Sequence, residues 1–232
     1  MLTFAQLMNT VVAIIFWISL LGLLHTYVLF PLLMRLLLKL KTEVKEEVAD
    51  NLFKPMVSVV MAAYNEEKVI IQKLESVIKS NYPSDKLEII VGSDCSNDGT
   101  DVLVQEFSQN HPQVKFIRFN SRTGKPAIIN QLVKHSKGEF LIITDANVMF
   151  DAEAISSMMN RFTVAEVGLV DSNMVNIGLM KSGISSQEKQ YIQTEVLTKY
   201  AEGEIWGSMM GPFGGCYAIR KSLFSDIPAN FL

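Results

Sequence analysis

Two aspartates end two apolar runs: Val91-Gly92-Ser93-Asp94, which continues Cys95-Ser96-Asn97-Asp98-Gly99-Thr100, and Phe140-Leu141-Ile142-Ile143-Thr144-Asp145, which continues Ala146-Asn147. A carboxylate accepts hydrogen bonds from N–H groups and ligates hard cations through oxygen. An apolar run that stops at Asp is the signature of a buried parallel strand delivering its acid to the rim of a sheet. Ligands of open α/β sheets collect outside the carboxyl ends of the strands, so Asp94 and Asp145 are candidates for one site. Asp98 precedes Gly99-Thr100 and suits the start of the next helix, leaving Asp94 the better candidate for binding. Lys125, beside Gly124 and ahead of a helix, combines an ammonium with a helix N-terminus, both of which favour an anion; a solvated lysine is the plainer alternative.

The elements that must position these groups alternate. Val57 to Ala62 is a β-branched strand ending at Ala63-Tyr64-Asn65, where Asn65 suits a helix N-cap. From Glu66 to Ser80, Ile70, Ile71, Leu74, Val77 and Ile78 recur on one helical face. Strands follow at Leu87–Gly92, Val114–Phe119 and Phe140–Thr144, with helices at Asp101–Gln109, Gly124–Lys137 and Ala152–Phe162; Pro126 falls in the first turn of its helix, where its missing N–H costs nothing. This rhythm predicts an α/β fold with a mostly parallel sheet, right-handed crossovers and helices on both faces. Further on, the pattern predicts strands at 167–173 and 174–179, a helix over 185–200, an irregular glycine-rich loop over 203–215 carrying Trp206, a short strand at 216–219 and a helical turn at 220–224.

The N-terminus is different. Met1 to Met34 contains no Asp, Glu, Lys or Arg, and Val11 to Leu24 is almost wholly apolar, which with its flanks matches the roughly 20 residues that cross a bilayer. A cleaved signal peptide is the rival, but a basic start and a small-x-small cleavage site are not evident. Pro31 is expected to bend or end the span. Arg35, Lys39 and Lys41 put cations on one side only, so residues 1–40 read as a single-pass anchor in the cell membrane with the globular part cytoplasmic. Residues 41–54 carry mixed charge and read as a polar linker, leaving residues 55–232 for the globular domain.

Composition narrows the chemistry. A net charge of −3 argues against a general nucleic-acid surface. Two cysteines, Cys95 and Cys216, are too few for a disulfide framework, and His25, His111 and His135 form no metal-binding pair. No Gly-x-Gly-x-x-Gly follows the first strand, which disfavours an NAD-binding reading.

The set Ala62-Ala63-Tyr64-Asn65-Glu66-Glu67, Ser93 to Thr100, Gly124-Lys125-Pro126-Ala127 to Asn130, and Asp145-Ala146-Asn147, in this order and spacing, resembles family 2 of the inverting glycosyltransferases, with the GT-A fold, from about Pro55 onward. The resemblance implies a donor nucleotide site built from Ala63, Asn65, Glu67, Asp94, Gly124, Lys125 and Asp145, with Asn130 as a further partner. It gives Asp94 the imide N–H of a uracil ring, and therefore implies a UDP-sugar. Asp145-Ala146-Asn147 is similar to the Asp-x-Asp element that holds Mg²⁺ or Mn²⁺ on the diphosphate. The departure is Asn147, whose amide oxygen ligates without adding charge and which also suits a plain turn. Gly214 and Gly215, in the stretch ending Arg220 and followed by Phe224, resemble the segment lining the donor-sugar and acceptor side; a tight loop is the alternative reason for these glycines.

Activity of this kind implies transfer to an envelope polysaccharide or lipid-linked acceptor with inversion. Inversion needs a general base for the acceptor hydroxyl. In the family that base follows the segment ending near Phe224, and no acidic pair occurs between there and Leu232, so no catalytic base is assigned and a C-terminally truncated member is expected. The alternative from another class is a noncatalytic nucleotide-sugar-binding or scaffolding subunit of a membrane glycan synthase.

Overall fold

The computed structural model describes residues 3–41, 53–175, 184–212 and 214–228, in two compact units: 1–45 with 175–211, and 46–174 with 212–232. The expected linker lies mostly, and the strand at 174–179 largely, outside the described residues.

In the first unit, α1 (Phe4–Leu24) runs through a π-helical turn (His25–Leu29) into α2 (Phe30–Leu40). Thr3 and Gln6 close a capping box at its start. Gln6–Leu40 is long and apolar enough to cross a membrane, with Trp17 and Ile18 among its many exposed apolar side chains. Pro31 does not end the helix. The N–H of Phe30 reaches back to the His25 carbonyl, an i to i−5 bond, and this wider turn directly ahead of the proline absorbs its missing donor and ring bulk. In the same unit α7 (Ile184–Trp206) packs on α2, with Trp206 stacked on Phe30 at 6.4 Å and Lys41 paired with Glu204. The loop expected over 203–215 therefore starts later: Gly203 sits inside the helix, where a glycine costs only about 1 kcal/mol.

The second unit is a six-stranded sheet in the order β3-β2-β1-β4-β6-β5, formed by β1 (Val57–Ala63), β2 (Leu87–Ser93), β3 (Val114–Arg118), β4 (Phe140–Thr144), β5 (Leu169–Asp171) and β6 (Cys216–Arg220). The first four strands are parallel; β6 lies antiparallel to both β4 and β5. Alternation along β1 sorts the core into two layers. Val57, Val59, Met61 and Ala63 join the layer under α3 (Ile70–Ile78), α4 (Thr100–Asn110) and α6 (Ala154–Arg161), while Val60 joins Ile128, Ile129 and Leu132 of α5 (Lys125–His135) on the other face. Gly92 allows α5 this close approach, since a Cβ there would stand 2.6 Å from Ile128.

The chain winds outward from β1 to β2 and β3 on one side and returns to β4 on the other. The carboxyl ends of β1 and β4 thus form the switch point at which such sheets bind ligands.

Candidate functional site

A cavity of about 280 Å³ opens at that switch point, and both strand-end aspartates line it. Ala63 and Tyr64 reach it from the end of β1, Asp94 from β2, Lys125 from the first turn of α5, and Asp145 and Asn147 from the end of β4. Five of the residues expected from the sequence, Ala63, Asp94, Lys125, Asp145 and Asn147, therefore share one cleft. Tyr64, Glu66 and Arg122 line it as well.

Asp94 is buried. Its Oδ1 accepts the Thr123 N–H at 2.7 Å and its Oδ2 the Gly124 N–H at 3.0 Å, with Arg122 Nε 3.7 Å away. The carboxylate thus fixes the turn that opens α5. Gly124 holds φ +86°, a left-handed conformation that favours glycine, and Lys125 follows directly. The Thr123 hydroxyl also donates to Oδ1, at 3.4 Å, so of the roughly four acceptor positions of a carboxylate three are taken and one is left for a ligand donor. Arg122 lies over the Tyr64 ring, its guanidinium carbon 3.5 Å from the centroid, which sets a flat cationic and aromatic surface beside Asp94.

Lys125 pairs with the Asp145 carboxylate, and both side chains remain partly open to solvent. The Asp145 N–H donates to the Gly215 carbonyl at 2.9 Å, tying the turn after β4 to the approach to β6. Burial, then the negative charges of Asp145 and Asp98, push the Glu66 carboxyl above its ordinary value. Three acids (Glu66, Asp94, Asp145) against two bases (Arg122, Lys125) leave the lining with one net negative charge.

Two of the sequence motifs are interlocked. The Asn65 N–H donates to Ser96 Oγ at 3.2 Å, while Asn65 Oδ1 accepts the Asn97 N–H at 3.0 Å. The Glu66 N–H meets Thr100 Oγ1 at 2.8 Å, the Glu67 N–H meets Asp98 Oδ2 at 3.2 Å, and Glu67 Oε2 accepts the Gly99 N–H at 2.7 Å. Asn65 adopts φ +57° and does not cap α3, whose regular part starts only at Ile70. Asp98 does serve its helix: Oδ1 accepts the Thr100 N–H at 3.0 Å. Asn65 and Glu67 are thus held by the loop that follows β2, and neither is among the residues lining the cleft.

Two further residues, Asn130 and Arg220, stand apart. Asn130 clasps the backbone of Ile227, donating to its carbonyl and accepting its N–H, both at 2.9 Å. Arg220 pairs with Phe140 in the antiparallel register, at the other end of β4 from Asp145, and its guanidinium holds the carbonyls of Phe162, Val164 and Val167. Gly215 touches the site through its carbonyl, and Gly214 turns the chain at φ +37°.

Oxygen donors suited to a hard cation are present at Asp145 and Asn147. Among the described residues no group of three or more His, Cys, Asp or Glu forms a metal site from protein ligands alone. A divalent ion here would take its remaining oxygens from a bound ligand and from water.

Residues 58–227 match the family described as glycosyl transferase family 2. The chain is 38% identical over 96 residues to the probable glycosyltransferase YdaM of Bacillus subtilis, covering 40% of this chain and 23% of that protein. It is 32% identical over 106 residues to the poly-beta-1,6-N-acetyl-D-glucosamine synthase of Staphylococcus epidermidis, covering 46% and 25%. The alignments thus take in about a quarter of the length of these two relatives. Among solved structures, the mannosyltransferase PcManGT of Pyrobaculum calidifontis, in complex with GDP-Man and Mn²⁺, superposes with a TM-score of 0.72 at 25% identity, covering 90% of this chain and 58% of that one.

Proposed function

The chain belongs to glycosyl transferase family 2, and from that premise we propose that it carries the donor site of a membrane-anchored glycosyltransferase that uses a UDP-sugar. The observation that carries the reading is the convergence of Asp94 and Asp145 on one cleft at the sheet's switch point.

Each lining residue has work that follows from its chemistry. The flat surface of Tyr64 and Arg122 stacks on a heterocycle, and Asp94 beside it accepts a ring N–H, which uracil offers at its imide. Ala63 brings backbone close to the same ring. Lys125, at the N-terminus of α5, faces the diphosphate with both an ammonium and a helix dipole. Asp145 and Asn147 would hold Mg²⁺ or Mn²⁺, which supplies charge stabilisation to the departing nucleoside diphosphate. Donor binding then frees Lys125 from its pairing with Asp145, so that each is left to its own partner. The relative named above with Mn²⁺ and GDP-Man in its structure supports the metal and nucleotide-sugar parts of the reading. Asn65, Glu67 and Gly124 support the site through their loop contacts, and Gly214 and Gly215 lie toward the sugar and acceptor side.

In this reading residues 1–40 anchor the chain in the cell membrane, 41–54 link, and 55–232 form the cytoplasmic part, in which 175–211 belong to the unit of the N-terminal helix and the remainder is the GT-A nucleotide-sugar-binding domain. The acceptor is an envelope polysaccharide or lipid-linked glycan, attacked with inversion, in keeping with the polymer named for the Staphylococcus epidermidis relative. A thermal-shift series with UDP-glucose, UDP-N-acetylglucosamine, GDP-mannose and NAD, each with Mn²⁺, tests it. The UDP-sugars should stabilise the protein most; stabilisation by NAD alone would refute the reading.

A further inference from the structure

Lys73 is fully buried on α3, on the same face as Ile70, Leu74 and Val77. A charge in such a place is costly, and burial pulls its ammonium down to about 7, with Cys216 and Asp145 acting in the opposite direction. A methionine would fill the same space without that cost, so the nitrogen itself needs a reason.

The nitrogen's contacts supply one. It donates to Thr144 Oγ1 at 3.0 Å and to the Val148 carbonyl, and stands 3.7 Å from the centre of the Phe150 ring. Thr144 is the residue before Asp145 and Val148 the residue after Asn147. One side chain rising from the core therefore grips both ends of the turn whose middle carries Asp145 and Asn147. The turn closes on itself through two long bonds to the Asp145 carbonyl, from the Val148 N–H at 3.3 Å and from the Thr144 hydroxyl at 3.4 Å. A lysine keeps two N–H donors whether charged or neutral, enough for both grips in either state.

We propose that Lys73 is a positioning residue, clamping the Asp145-Ala146-Asn147 turn from beneath so that its two oxygen ligands are presented together to a metal-bound diphosphate. The inference rests on the donor-site reading for its purpose, but the clamp can be tested without it. A buried lysine that merely fills space would leave the turn unaffected when replaced by methionine.

The test uses the full chain in detergent, comparing wild type with Lys73→Met by amide hydrogen exchange and by UDP binding over a Mn²⁺ titration. Exchange should rise in peptides covering 144–149 and stay unchanged in β1 and β2. The Mn²⁺ concentration giving half-maximal UDP binding should rise ~10-fold, as for other residues that orient metal ligands from behind. Unchanged exchange at 144–149, or a rise spread evenly over the domain, overturns the clamp. Failure of the wild type to bind UDP at all would count against the donor site, while the exchange comparison still decides the clamp. Should Lys73→Met not fold, Thr144→Val removes one grip at constant volume, together with the hydroxyl's own bond to the Asp145 carbonyl, and should raise exchange in the same segment; no rise there likewise overturns the clamp.

Discussion

Asp94 Oδ2 accepts the Gly124 N–H at 3.0 Å, so the acid that ends β2 sets where α5 begins and therefore where Lys125 stands. Asp94 is thus both a wall of the cleft and a strut of it. Replacing it with alanine leaves the N–H groups of Thr123 and Gly124 without their acceptor, at a cost of about 2 kcal/mol in urea unfolding. Asparagine, which keeps one acceptor oxygen, should cost less, yet should lose UDP affinity as alanine does. Equal stability of Asp94→Ala and wild type would remove the strut.

Lys125 and Asp145 behave differently, because their pair is partly open to water. Exposed pairs contribute about 0–1 kcal/mol, so Lys125→Met should scarcely change the unfolding midpoint. Its effect should fall on the diphosphate: UDP affinity lost at least ~10-fold, uridine affinity retained. Equal losses for UDP and uridine would place Lys125 elsewhere than at the phosphates.

Asn147 offers a gain of function. Asn147→Asp adds a second negative ligand beside Asp145, and affinity for a hard divalent cation grows with ligand charge. Half-maximal UDP binding should need less Mn²⁺ than in wild type, by roughly tenfold. An unchanged Mn²⁺ requirement would mean that residue 147 does not face the ion.

Glu88 gives the pH dependence. It is buried at the opposite end of the sheet; burial raises its pKa, but hydrogen bonds from Lys115 and Ser58 and from the Lys137 N–H outweigh burial and hold it below the ordinary glutamate value. A carboxylate whose folded pKa is depressed contributes stability above its unfolded pKa of 4.5 and loses it as pH falls through the folded value. Wild type should therefore lose stability on acidification below pH 4.5, and Glu88→Gln should be less stable by about 2 kcal/mol at pH 7 but lose less on acidification. Parallel pH curves for the two proteins would contradict this.

Much of this architecture was legible in the sequence, because β-branched runs ending in Asp mark buried parallel strands, and β1, β2 and β4 fall within a residue of expectation. Asp94, Asp145 and Lys125 line the cleft for the same reason: strand ends and helix starts are where an α/β sheet exposes its side chains. Contacts between loops left no such trace. Asn65 follows a strand as a helix cap would, but its left-handed backbone and its bonds to Ser96 and Asn97 depend on a segment 31 residues away. Arg122 and Glu66 reach the cleft through turns that carry no periodicity. Lys73 did carry a signal: with Ile70, Leu74 and Val77 it occupies the i, i+3, i+4, i+7 positions of a buried face, where a charged residue is out of place. Arg220 stands at the far end of β4 from the cleft because an antiparallel strand runs away from the rim that parallel strands run toward.

Isothermal titration of UDP in the presence and absence of Mn²⁺, on wild type, Asp94→Asn and Asp145→Asn, bears most directly on the shared cleft. Asp145→Asn should abolish the Mn²⁺ dependence of UDP binding, while Asp94→Asn should weaken binding of UDP and uridine alike and leave the Mn²⁺ dependence in place. If both variants bind UDP as tightly as wild type with the same response to Mn²⁺, the two acids do not serve one donor site.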